Sequence, residues 1–126
     1  MNDQKLRVGV VGLGFAGRTA LEAFAELPDV EVVALAGLEK DLLAELGEKF
    51  RVPHLFEKWE DLVETPGLDA VSIGTPTQLH APIALAALDK GLHVLCEKPL
   101  ARTVPEGQAM VEIGRASCRE RVSKQV

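Results

Sequence analysis

The sequence predicts an α/β fold with a doubly wound parallel sheet, and three observations carry that expectation. Apolar runs of strand length recur along the chain: LRVGVV at Leu6–Val11, VEVVALA at Val30–Ala36, LDAVSI at 68–73 and LHVLC at 92–96. Stretches with helical apolar spacing separate them. The first run leads straight into a glycine-rich turn, Gly12-Leu13-Gly14-Phe15-Ala16-Gly17. Strands that are apolar throughout need cover on both faces, and alternation with helices supplies it around a parallel sheet.

The elements follow in order. Leu6–Val11 is the first strand. The helix after the glycine turn places Ala16, Ala20, Ala23 and Leu27 on one face, and Pro28-Asp29 ends it. Val30–Ala36 is the second strand. Residues 41–50 form a helix with Leu43, Leu46 and Phe50 on one stripe, and 52–56 a short third strand. Residues 59–63 make one or two helical turns, broken by Thr65-Pro66-Gly67. The fourth strand, 68–73, stops at Gly74-Thr75-Pro76. Residues 78–90 carry the apolar stripe Leu79, Ile83, Ala86 and Ala87, with Gly91 at the C-terminal cap position. The fifth strand is 92–96, and Thr103 with Glu106 three residues on forms a capping box that opens the last helix.

The chain has 126 residues, the size of one domain. Its 47% hydrophobic and 26% charged residues are those of a globular chain rather than a disordered one. The formal net charge is -5 and the charges are scattered, which argues against a nucleic-acid groove or a basic membrane face. The two cysteines, Cys96 and Cys118, argue against a disulfide framework, and Cys96 reads as a small buried residue of the fifth strand. The polar start, Met1 to Lys5, resembles neither a signal peptide nor a membrane span. The expected compartment is the cytoplasm, with no nucleic-acid or membrane partner.

Gly12-x-Gly14-x-x-Gly17 satisfies the dinucleotide fingerprint in the context that gives it meaning, between a strand and a helix. Gly12 permits the tight turn, Gly14 lets the backbone approach a pyrophosphate, and Gly17 lets helix and strand pack closely. The helix N-terminus at Phe15, Ala16 and Gly17 offers free backbone N–H groups to the phosphates. Flavin proteins and methyltransferases carry similar loops, so the loop alone leaves the cofactor open. In NAD enzymes an acidic residue about 20 residues past the loop takes the ribose hydroxyls. Gly37 holds that place here, followed by Leu38, Glu39 and Lys40. Glu39 reaches the ribose only if the loop bends back; otherwise Glu39 and Lys40 open a solvated helix. The missing carboxylate favours a 2′-phosphate, whereas the lack of an arginine and the charge of Glu39 oppose one. Both NAD and NADP stay open, with Leu38 and Glu39 as the candidate contacts.

From Gly74 onward the chain reads GTPTQLHAPIALAALDKGLHVLCEKPLA. With the glycine loop, the elements Thr75-Pro76, His80, Gly91-x-His93-Val94 and Glu97-Lys98-Pro99 resemble the Gfo/Idh/MocA family. That family is named for glucose–fructose oxidoreductase, inositol dehydrogenase and a rhizopine-catabolism protein. The resemblance covers the chain to about Met110 and implies an NAD(P)-dependent oxidoreductase whose small-molecule substrate is a sugar- or polyol-like secondary alcohol. It implies that Lys98 lies beside the nicotinamide and helps deprotonate the hydroxyl as hydride leaves the adjacent carbon. A lysine kept out of water suits that transfer. Glu97 would line the nicotinamide site and orient Lys98, and the resemblance implies a cis bond at Pro99.

Read from position alone, Glu97 and Lys98 stand at a strand's C-terminal end, where ligands bind in open α/β sheets, although a solvated pair before a turn reads the same. Thr75-Pro76 would wall the nicotinamide ribose or form an ordinary turn. His80 sits at a helix N-terminus that disfavours imidazolium, and both a cofactor contact and a structural role fit it. His93 is read as structural, and Trp59 with Phe56 as packing rather than an adenine platform.

These readings divide the chain into an NAD(P)-binding Rossmann-type domain over residues 1–112 and a tail over 113–126. The tail begins IGRASCRERV, puts Gly114 inside a helix and gives Arg115, Arg119 and Arg121 no apolar face. It reads as a translated stretch of sequencing adapter rather than native sequence. In the strand order 3-2-1-4-5-6 the sixth strand is expected to be missing, together with the C-terminal substrate domain that family members carry. The chain alone is expected to bind dinucleotide and turn over little. LHVLC would form an apolar sheet edge that favours homo-oligomers. The alternative is a non-catalytic dinucleotide-binding or sensor module, and Glu97-Lys98-Pro99 disfavours a methyltransferase.

Overall fold

The structure is a computed structural model that describes residues 5–98 and 101–125, the side chains of 116–125 excepted. Five strands form: β1 (Leu6–Val11), β2 (Val30–Ala36), β3 (His54–Phe56), β4 (Ala70–Ile73) and β5 (His93–Cys96). Between them lie α1 (Phe15–Ala25), α2 (Lys40–Lys49), α3 (Trp59–Leu62) and α4 (His80–Asp89), and α5 (Val104–Gln125) follows β5. Every pairing is parallel, in the order β3-β2-β1-β4-β5. This is the doubly wound Rossmann-type sheet that the apolar runs imply. Its order reverses between β1 and β4, which opens a crevice at the C-terminal ends of those strands.

Two apolar layers hold the helices to the sheet. On one face Val8, Val10 and Leu35 meet Leu21 of α1 and Leu43 and Leu46 of α2. On the other, Val33, Val71 and Ile73 meet Leu62 of α3, Ile83, Ala84 and Ala87 of α4, and Met110 of α5. Leu21 and Leu62 are both 0% exposed, and burial of such a side chain contributes about 1.5–3 kcal/mol. Gly9 makes room for α3, since a Cβ there would come within 2.8 Å of Leu62 Cδ2.

Helix α1 turns a different face inward from the one its alanines suggest. Gly17 and Leu21 are buried and Phe24 is half-buried, whereas Ala23 is exposed and Leu27 lies beyond the helix, also exposed. The close approach of Gly17 to the Gly12 carbonyl fixes the helix rotation, and the positions four and seven residues on follow it inward. In α4 the buried set is His80, Ala81, Ile83, Ala84 and Ala87, broader than the expected stripe because α5 packs on it as well as the sheet. A 3₁₀ turn (Thr77–Leu79) precedes it, and Gly91 with φ 78° follows it.

The fifth strand departs from the expectation of burial on both faces. Val94 and Cys96 are half-buried, while His93 and Leu95 are exposed. The layer under α1 and α2 spans β1 and β2, and among the described residues no helix covers β5 on that side. At the start of α5, Glu106 N–H donates to Thr103 Oγ1 at 3.3 Å, which is half of the expected capping box. The other half differs, because the Thr103 hydroxyl donates to Glu106 Oε1. The helix runs on through Gly114. The peptide at Pro99 and the side chains of Cys118, Arg119 and Arg121 lie outside the described residues. No helix among the described residues is long and apolar enough to cross a membrane.

Candidate functional site

The first residue after a strand extends the sheet ladder by one more bond. Gly37 N–H donates to Phe56 O at 3.0 Å, Gly12 N–H to Ala36 O at 2.9 Å, Gly74 N–H to Val11 O at 2.8 Å and Glu97 N–H to Ile73 O at 3.0 Å. Glu57, Gly37, Gly12, Gly74 and Glu97 therefore stand in sheet order along one edge. That edge is the C-terminal one, where open parallel sheets hold their ligands.

At its centre the backbone is packed to contact. Gly12 takes φ 105°, and a Cβ there would sit 2.6 Å from Gly74 O, so a side chain would part the two loops. Gly17 rests against Gly12 O, which starts α1 directly beneath the turn. Gly14 is different, because a Cβ on it would meet nothing within 4 Å. The protein does not restrict this position; a ligand laid along the loop would. Gly14 is also the N-cap of α1, without a side-chain cap bond or an acidic residue in the first turn. The helix-start amides therefore keep their partial positive charge for an anion, as a pyrophosphate requires.

A cleft of about 290 Å³ follows this edge. Among the residues singled out in the sequence, Gly12, Gly14, Leu38, Glu39, Thr75 and Pro76 meet in its lining. Thr75 Oγ1 is shielded from solvent and has no hydrogen-bond partner. A hydroxyl left in that state costs about 1–3 kcal/mol, so a ribose hydroxyl or a carboxamide placed there would relieve it. The open space over Gly14 and this orphan hydroxyl both fit a dinucleotide. His80 is not in the lining. It is 1% exposed, and its Nε2 lies 2.9 Å from Thr75 O, so the ring braces the turn that presents Thr75.

Other candidates lie elsewhere. Phe15, Ala16 and Glu97 line a second groove of about 570 Å³ between α1 and β5. Glu97 and Lys98 are both exposed, so the exclusion of water that suits Lys98 to proton transfer is not supplied by the described residues. Cys96 is half-buried beside them, and its thiol donates to Glu97 O at 3.5 Å. Burial, and secondarily the charge of Glu97, push this thiol above its ordinary pKa, which keeps it a poor nucleophile at neutral pH.

Sequence reasoning missed Leu13, Glu57, Trp59 and Leu79, all of which line the cleft. Trp59 packs against the core, as expected, and also faces the cleft. Glu57 had a usable signal: it is the first residue after β3, the place where an open sheet presents side chains to a ligand.

An NAD(P)-binding Rossmann domain is what this edge and its glycine loop define. Residues 6–120 match the oxidoreductase family with an NAD-binding Rossmann fold, Gfo/Idh/MocA, and the chain belongs to that family. It is 38% identical over 119 residues to the levoglucosan dehydrogenase of Pseudarthrobacter phenanthrenivorans, covering 86% of this chain and 30% of that protein. It is 32% identical over 107 residues to the myo-inositol 2-dehydrogenase of Thermotoga maritima, covering 85% and 32%. A crystal structure of biliverdin reductase from Synechocystis, in complex with biliverdin and NADP+, superposes with a TM-score of 0.84 at 35% identity, covering 89% of this chain and 35% of that one. The chain thus spans about a third of the length of these relatives.

Proposed function

We propose that the chain is the cofactor-binding part of an oxidoreductase that acts on a secondary alcohol of a sugar- or polyol-like substrate, and that by itself it binds dinucleotide without turning over. The observation that carries this reading is the loop at Gly14, open to the cleft and backed by free helix-start amides. The sugar and polyol class is supported by relatives named for levoglucosan and myo-inositol.

When bound, the dinucleotide supplies the hydride acceptor. The residues of this chain would do the rest at its end of the site. The Gly12–Gly17 loop holds the pyrophosphate, Thr75 Oγ1 takes a polar group on the nicotinamide side, and Lys98 Nζ takes the hydroxyl proton. Lys98 stands exposed beyond β5 and needs a wall on that side to work. Without it, water competes for both the proton and the alcohol.

Titration with NADH, followed by emission of Trp59, the one tryptophan in the sequence and part of the cleft wall, is expected to saturate. Incubation with myo-inositol and either oxidised cofactor is expected to give no reduction. A signal that never saturates would contradict binding, and steady turnover would contradict inactivity. In a protein that carries the rest of the length seen in the relatives, Lys98→Ala is expected to lower kcat by about 10²–10⁴ with little change in cofactor affinity. Unchanged turnover would remove Lys98 from the chemistry, whereas no turnover in the unaltered longer protein would favour a sensor.

A further inference from the structure

We infer that this chain selects NAD over NADP, and that Glu39 and Glu57 select it in place of a carboxylate at the end of β2. The inference rests on the dinucleotide reading above.

Position 37 cannot supply the carboxylate. A Cβ on Gly37 would run into Cγ and Cδ1 of Leu13, the residue between the first two glycines of the loop. Leu13 is itself 6% exposed and part of the core layer under α1 and α2. It fills the space a side chain at 37 would need, so the two positions are coupled across 24 residues of sequence, 37 minus 13.

The charge is instead supplied from either side of Gly37. Glu39 lies two residues on and is the N-cap of α2, with extended backbone at φ -88° and ψ 101°. Its side chain makes no cap hydrogen bond, so the carboxylate is not used by its own helix, and it lines the cleft. Glu57 follows β3 and lines the cleft from the neighbouring strand. Gly37 N–H, bonded to Phe56 O, ties the two loops together.

The sign of the field follows from the residues present. No lysine or arginine is among the described residues lining the cleft. Two lysines stand on these loops outside the lining: Lys40, 3.5 Å from Glu57, and Lys58, exposed beside it in sequence. Only the two carboxylates reach the described lining, so the wall that a ribose would touch is negative. A ribose 2′-hydroxyl donates to a carboxylate, whereas a 2′-phosphate brings about two further negative charges against it. Leu38, 85% exposed and in the lining, adds an apolar surface for the adenine but no charge. The opposing possibility is also on these loops, because Lys40 could leave Glu57 and grip the phosphate.

Affinities of the full chain for NADH and NADPH at low ionic strength separate these cases, with the Glu39→Gln and Glu57→Gln variants alongside. All the altered side chains are exposed, and circular dichroism verifies that the variants fold. NADH is expected to bind about tenfold or more tightly than NADPH, and added salt is expected to shrink the gap. Glu39→Gln is expected to weaken NADH severalfold, and Glu57→Gln to strengthen NADPH by freeing Lys40. The double variant should bind both alike. NADPH binding as tightly as NADH, or a ratio that neither variant moves, would overturn the inference while leaving dinucleotide binding intact. Failure of both nucleotides to bind would overturn the underlying reading, and this inference with it.

Discussion

The two ends of the cofactor edge are built to different degrees. At the β1, β2 and β3 end, the backbone of Gly12 and Gly14 and the side chains of Leu38, Glu39, Glu57 and Trp59 converge on one cleft. At the β5 end, Glu97 and Lys98 stand exposed, and Leu95 beside them is 61% exposed. The contact of Gly17 with Gly12 and the start of α1 are local products of β1, the loop and α1, and Gly74 closes on them from the neighbouring strand. A proton-transfer site needs walls that exclude water, and walls come from whatever packs against the strand ends. The two ends can therefore be tested apart.

The sharpest way to break this contrast is at Gly14. Gly14→Val is expected to cost about 1 kcal/mol of stability, the difference between glycine and valine at an N-cap, since a Cβ meets no protein atom. Dinucleotide affinity should fall by about 100-fold, the effect of ~3 kcal/mol of steric conflict with a ligand. Calorimetric titration with thermal unfolding as control measures both. A loss of stability equal to the loss of affinity would mean that the loop is structural.

Thr75→Val sharpens the boundary between the two ends. The substitution removes an orphan hydroxyl without changing shape, so the free chain should be unchanged or stabilised by about 1 kcal/mol. Nucleotide affinity should fall about threefold to tenfold, the contribution of one hydrogen bond. If affinity does not move, Thr75 belongs to the open end rather than to the cleft.

The smallest effect is expected at Cys96. Its raised pKa means that alkylation in a Cys118→Ser background should be slow at neutral pH and accelerate only above the range of an ordinary thiol. Glu97→Gln removes the lesser cause and should speed the reaction modestly at fixed pH. Fast alkylation at neutral pH would show that β5 is less covered than its half-burial indicates.

Much of this was legible in the sequence because it is local. Gly12, Gly14 and Gly17 declare a turn and a helix start by spacing alone, and Thr75-Pro76 follows directly on a β-rich run. The inward face of α1 was misread because alanine marks a helical face weakly, whereas the contact of Gly17 with the Gly12 carbonyl decides the rotation. The exclusion of a side chain at Gly37 by Leu13 depends on a contact between distant positions, and no periodicity carries it. Glu57 joined the cleft only once strand order placed β3 beside β2. The exposure of β5 was hidden for the same reason, since an apolar run reports what a strand can bury and not what covers it.

Dinucleotide affinity is expected to reside in the built end of the edge, where Gly14, Glu39, Glu57 and Thr75 line the cleft. Calorimetric titration of the chain with ADP-ribose and with NADH separates the two ends, because the ligands differ only by the nicotinamide ring. The expected dissociation constants lie within about threefold of each other, a difference under 1 kcal/mol. NADH binding tighter than ADP-ribose by a factor of ten or more would contradict it.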